Sequence, residues 1–187
     1  MGGRGASSAS AAQEIYPAPT GMSIEEAMLN TNPKFQSGKE YQWNCQRCVY
    51  AYEMNRRGEK CIARPTNMFN GNDDYARKEW SHTMQNQKWY RVGSKSGSKT
   101  ISNIEDKMRS YGNGARGIIY VVWKKGGAHV FNVENIGGKI HYIDSQSGQK
   151  RDILKTISAA KPTKTLISRI DNLAPDMLLL DKAIERI

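Results

Sequence analysis

Cys45, His129 and Asp144 are the residues of this 187-residue chain whose types and settings fit nucleophilic attack on a carbonyl. Cys45 directly follows Asn44, a good N-cap residue, and Cys45, Cys48, Val49 and Tyr52 recur at i, i+3, i+4 and i+7. The pattern predicts a helix from Cys45 to a C′ glycine, Gly58, with those four residues as its core-facing stripe. A helix N-terminus carries partial positive charge and unpaired N–H groups. Both stabilise a thiolate, and the same N–H groups stabilise an oxyanion on an attacked carbonyl. Cys48 is the alternative nucleophile. One turn further into the helix, it gains less from the terminus and is less exposed, so Cys45 is favoured.

A base and its orienting group come from a hairpin. The runs Ala128–Asn135 and Lys139–Asp144 flank Ile136-Gly137-Gly138, and Gly-Gly suits a two-residue turn because both residues accept positive φ. With Gly137-Gly138 as the loop, Phe131 faces Asp144 and His129 faces Gln146. His129 and Asp144 are then diagonal neighbours on one face, roughly 7–8 Å apart at the backbone, within reach of an imidazole–carboxylate contact. The carboxylate would hold one imidazole nitrogen and favour the imidazolium.

Each residue also has a plainer reading. Cys45 and Cys48 fit as small buried hydrophobes, His129 as an ordinary strand residue, and Asp144 as the start of the turn Ser145-Gln-Ser-Gly148. Zinc is a third reading, through Cys45-x2-Cys48-x12-Cys61 and, after a further x20, His82. Both cysteines of the pair fall inside a predicted helix, where a zinc half-site normally needs a knuckle turn, so neither a metal nor another cofactor is expected. His82 and His141 carry no assigned role, and His141 points away from the Asp144 face.

The surrounding elements must position these groups. Ser23-Ile-Glu-Glu26 is a capping box that opens a short helix ended before Pro33. Residues 62–72 read as loop, Asp73–Gln87 as a weak helix, Trp89–Val92 as a short strand and Thr100–Tyr111 as a helix. Arg116–Trp123 is a β-branched, aromatic strand. Asp152–Ala159 reads as a helix, Thr165–Ile170 as a strand and Pro175–Ile187 as a closing helix. A helical first half followed by an antiparallel sheet is an α+β arrangement. Residues 1–20, rich in Gly, Ala and Ser, read as a flexible leader, and residues 21–187 as a single domain.

Composition limits the partners. Three cysteines are too few for a disulfide scaffold, so reduced thiols are expected. No apolar run approaches the ~20 residues of a membrane span, and the first residues lack the apolar block of a secretory signal. The formal charge is +10. Residues 1–40 carry a net −1, from Arg4, Lys34 and Lys39 against Glu14, Glu25, Glu26 and Glu40, which leaves +11 on residues 41–187. That excess favours an anionic partner, nucleic acid included, although the basic residues are scattered and form no arginine-rich helix or aromatic-interleaved RNA motif.

Three strings together resemble the papain-fold toxin family, the glutamine deamidases of bacterial polymorphic toxins and prophage-associated proteins. They are N-C-Q-R-C-V-x-A-Y-E-M-x-R-R-G (Asn44–Gly58), G-x-A-H-V-F-N-V-E-N-x-G-G-K-I (Gly126–Ile140) and Y-I-D-x-Q-x-G (Tyr142–Gly148). Arg169-Ile-Asp-Asn-Leu173 is similar to a later family element, and the leader to segments of phage proteins. The resemblance implies a papain-like α+β fold in which a catalytic helix packs on an antiparallel sheet. It implies Cys45 as nucleophile, His129 as base and Asp144 as orienter, with Asn44 and Gln146 in support. Gln42, six residues before Cys48 as in papain itself, is the matching oxyanion donor. The implied reaction deamidates a glutamine of a target protein. A protease, an acyltransferase, or a silent basic module binding nucleic acid or phage particles are the alternatives. The resemblance also implies an immunity or inhibitory partner, and a place in the bacterial cytoplasm or delivery into a target cell. Two departures stand out: Glu59-Lys60 where the family has a Tyr-Asp-like pair, and Ser145 where a Pro is common after the Asp.

Overall fold

The computed structural model describes residues 21–187, so the leader expected over residues 1–20 lies outside the described residues. Helix α1 (Ile24–Thr31) opens with the expected capping box: Ser23 N–H donates to Glu26 Oε2 at 2.8 Å, and Glu26 N–H to Ser23 Oγ at 3.2 Å. A short α2 (Lys39–Gln42) leads into α3 (Cys45–Arg56). At the end of α3, Gly58 sits at φ +92°, with Gly58 N–H on Asn55 O and Glu59 N–H on Met54 O. Those two hydrogen bonds close the helix as a Schellman motif, the role a C′ glycine serves.

The rest of the chain builds an antiparallel sheet. Its strands are β2 (Tyr90–Arg91), β3 (Arg116–Val122), β4 (Ala128–Ile136), β5 (Lys139–Asp144), β6 (Gln149–Lys150) and β7 (Leu166–Arg169), in the order β2-β7-β3-β4-β5-β6. β1 (Cys61–Ala63) pairs separately with β8 (Ile184–Arg186). One face of the central strand β4 meets α3: Asn132 Nδ2 donates to Val49 O at 3.0 Å, and Glu134 binds Arg56 and Tyr52. On the other, Phe131 and Val133 join a core with residues of α4 (Gly97–Ser110) and α5 (Ile153–Ala159). The closing helix is α6 (Met177–Ala183). Among the described residues no helix is long and apolar enough to cross a membrane.

Several elements depart from the sequence reading. The helix α3 is not a one-sided stripe. Every residue of it except Gln46 is buried, because α1, β1, β4 and α6 enclose it. Its polar side chains are therefore paired inside: Arg47 with Asp73 at 2.9 Å, Glu53 with Arg116 at 2.8 Å and Arg56 with Glu134 at 2.8 Å. A buried charge without such a partner is strongly unfavourable. The expected helix over Asp73–Gln87 is broken into a π turn, Tyr75–Glu79, and a 3-10 turn, Trp80–His82. Trp80 O accepts from Tyr50 Oη at 2.6 Å and Thr83 Oγ1 at 2.9 Å as well as from Thr83 N–H at 3.3 Å. The stretch read as loop begins inside β1, and the last helix gives way to β8, because Ile184 enters the core opposite Ala63.

The Gly137-Gly138 hairpin has the expected register, with Ile136 opposite Lys139 and Asn135 opposite Ile140. Both glycines have positive φ, +60° and +85°, and a Cβ at either would meet nothing within 4 Å. The requirement is thus conformational. Alanine at both positions is expected to cost about 1–2 kcal/mol per residue, read as a lower urea midpoint, whereas Gly137→Asn should cost much less.

Candidate active site

Cys45 is the first residue of α3 and keeps 8% of its surface exposed; Cys48 and Cys61 are fully buried. Arg47 and Cys48 N–H groups bond to Asn44 O, while those of Cys45 and Gln46 have no acceptor among the described residues. Cys45 Sγ lies 3.4 Å from Gln46 Oε1. Burial pushes the Cys48 thiol well above its ordinary range, with the neighbouring Cys45 adding to the effect, and its Sγ bonds Asn44 Oδ1 at 3.2 Å. Cys61 Sγ contacts Ala51 O at 3.5 Å, and its thiol too is pushed up, to about 12, by burial. Among the described residues no group of three or more His, Cys, Asp or Glu is arranged to hold a metal ion.

Asn44 occupies the N-cap position without capping through its side chain. Its Nδ2 donates to Arg64 O at 3.0 Å, and its Oδ1 accepts from Cys48 and, at 3.5 Å, from Gln146 Nε2. Asn32 joins the same cluster, with its Nδ2 on Gln146 O at 2.9 Å. Asn44 and Gln146 thereby fasten the start of α3 to the turn that follows Asp144. Gln42 is exposed at the end of α2 and does not line the cavity beside Cys45, whereas Gln46 does.

His129, the second residue of β4, stacks between Trp123 and Phe131, with ring centroids 6.1 and 6.2 Å away. Its Nε2 lies 3.4 Å from Asp144 Oδ1, at ion-pair range though not aligned for a hydrogen bond. The β4–β5 ladder ends at Asn132–Ile143, so the contact forms just past the last backbone pair rather than inside the ladder. The imidazole also interacts with Cys45, and both side chains line one cavity. Burial works against the imidazolium, but contact with Asp144 and with Cys45 outweighs it and lifts the His129 pKa to about 9. Burial likewise disfavours the Asp144 carboxylate, yet His129 and then Arg151 hold its pKa below the usual range.

Arg151 is a site residue that the sequence reading missed. Its Nη1 binds Asp144 Oδ2, its Nε donates to Thr156 Oγ1 at 3.0 Å, and its guanidinium lies over the Phe131 and Trp123 rings at 5.0 and 5.5 Å. The rule that joined His129 to Asp144 would have found it. In the β5–β6 pairing Gln149 faces Asp144, so Arg151, two residues on, is its diagonal neighbour. Arg151→Met is expected to lower the rate of a reaction depending on Asp144 by about 10-fold or more, an effect typical of the groups that orient first-contact residues. Steady-state kinetics beside the parent's thermal midpoint checks this.

The cavity holds about 530 Å³, within the range of small-molecule and side-chain binding sites. Cys45, Gln46 and His129 form one part of its wall, and Trp80, Trp89 and Tyr120 another. A family model described as papain fold toxin 1, glutamine deamidase matches residues 43–149, more than half of the chain. No curated protein and no solved structure matches it.

Proposed function

Because the chain belongs to the papain fold toxin 1, glutamine deamidase family, we propose that it hydrolyses the side-chain carboxamide of a glutamine in a target protein, with Cys45, His129 and Asp144 as the reacting set. The observation that carries this reading is the meeting of Cys45 and His129 in one cavity, with Asp144 against the far nitrogen of the imidazole.

Cys45 Sγ adds as thiolate to the carboxamide carbon, and the carbonyl π pair moves to oxygen. The N–H groups of Cys45 and Gln46 at the start of α3, without an acceptor among the described residues, would receive that oxyanion. With Nε2 facing Asp144, Nδ1 is the nitrogen left to serve the reacting centre. The imidazolium gives its proton to the departing nitrogen, the C–N bond breaks, and ammonia leaves a thioester. Neutral His129 then takes a proton from water, whose oxygen adds to the thioester carbon. Collapse expels the Cys45 thiolate and leaves glutamate. The target gains one negative charge, enough to alter a contact that depended on the neutral amide.

The first test is iodoacetamide labelling with peptide mapping, coupled to mass spectrometry of glutamine-to-glutamate conversion in a cell lysate. Preferential alkylation of Cys45, slowed in His129→Ala, with conversion absent from Cys45→Ala, is the expected result. Equal, slow labelling of all three cysteines sinks the proposal.

A further inference from the structure

The cavity is much larger than the carboxamide and two methylenes of a glutamine side chain, and its lining beyond Cys45 and His129 has its own character. Trp80 packs edge-on against Trp89 at 5.4 Å and stacks on Tyr120 at 6.2 Å. All three rings are only partly buried and continue into Leu166. They form an apolar trough that is already well organised: Tyr50 Oη grips Trp80 O, and Trp89 Nε1 donates to Ser81 O at 3.2 Å. At its rim stands Arg77, exposed, bonded to Gly71 O at 2.9 Å, and in no ion pair among the described residues. Among the described residues no carboxylate lines this cavity.

From this lining we infer that the substrate is a glutamine flanked by an aromatic or large aliphatic residue, with an acidic residue beyond it: the trough formed by Trp80, Trp89 and Tyr120 takes the apolar side chain, and Arg77 meets the carboxylate. The inference rests on the proposed reading of Cys45 as nucleophile, since that fixes which end of the cavity holds the glutamine. Rigid aromatic walls lose little conformational entropy on binding an apolar group, and taking such a group out of water is favourable. The unpaired guanidinium adds charge complementarity, which acts chiefly on selectivity and encounter rate.

The test uses covalent probes on the full chain, so no target need be known. Rates of Cys45 labelling by chloroacetamide and by N-phenethyl chloroacetamide are measured by intact mass and peptide mapping, each divided by its rate with glutathione. A normalised preference for the phenethyl probe of about 10-fold or more is expected, and Trp80→Ala should remove it. Because Trp80 contacts the core, a second pair of probes carries a carboxylate or an ammonium at the far end of the phenethyl ring. The parent should favour the carboxylate, and the surface substitution Arg77→Glu should reverse that order. Labelling of Cys45 at equal normalised rates by all four probes overturns the trough while leaving the nucleophile standing. Failure of plain chloroacetamide to label Cys45 overturns the nucleophile and the trough together.

Discussion

Replacing Asp144 by Asn is expected to cut deamidation by about 10²- to 10⁴-fold, the range seen where a carboxylate orienting a catalytic histidine is neutralised, and to shift the alkaline limb of the pH–rate profile. In the proposed mechanism the His129 imidazolium, whose pKa is lifted to about 9, protonates the departing nitrogen. Activity should therefore fall as pH rises through about 9 and His129 loses its proton before it can serve the leaving nitrogen. Removing the Asp144 charge takes away a main support of the imidazolium, so the limb moves to lower pH. The same sign applies to stability. A group whose folded pKa is raised contributes fully below its ordinary value near 6.5, and the contribution is lost as pH rises through about 9. The parent should lose stability across that window and Asp144→Asn should lose less. A profile whose alkaline limb stays in place in Asp144→Asn would show that the His129–Asp144 contact does not govern the reaction. Cys45→Ala, by contrast, should show no conversion at any pH.

The largest expected effect on stability lies away from the cavity, at Glu53. This carboxylate is fully buried in the last turn of α3. Its Oε2 meets Arg116 Nε at 2.8 Å, and its Oε1 meets Arg116 Nη2 at 2.9 Å and Arg57 Nε at 2.7 Å. Arg116, itself 1% exposed, anchors the start of β3, so the cluster joins the helix carrying Cys45 to the centre of the sheet. Glu53→Gln leaves two guanidiniums facing a neutral amide in the interior. Breaking one partner of a buried pair typically costs 3–5 kcal/mol, roughly, against a total stability of about 5–15 kcal/mol. Urea denaturation should show that loss, or no cooperative transition at all at 37 °C. A drop of less than about 1 kcal/mol would mean that water or rearrangement relieves the pair. The cluster of Arg56, Glu134 and Tyr52 is built the same way, and Glu134→Gln should be the next most damaging change.

How much of the site could be read from the residues follows from the range of the interactions involved. The His129–Asp144 contact was legible because a two-residue Gly-Gly turn sets the strand register, and register alone brings two side chains to a diagonal. Extending the same reasoning one hairpin further would have added Arg151. Cys45 at a helix start was legible from Asn44 and the terminal Gly58, although Asn44 spends its side chain on Arg64, Cys48 and Gln146 rather than on the cap. The chance to make those contacts depends on segments distant in sequence.

Periods, caps and glycines thus determined α1, α3, the β4–β5 hairpin and the pairing of an imidazole with a carboxylate, since each depends on neighbours a few residues away. Tertiary structure decided what encloses them. It buried α3 on all sides and so required ion pairs for Arg47, Glu53 and Arg56. It drew the last residues into β8 against β1, and broke the segment after Asp73 to bring Trp80 beside Trp89 and Tyr120. Those outcomes depend on which surfaces exclude water from one another, and no local pattern specifies that. Cys45 and His129 come from elements more than eighty residues apart, and only the packing of α3 on the face of β4 brings both to one cavity.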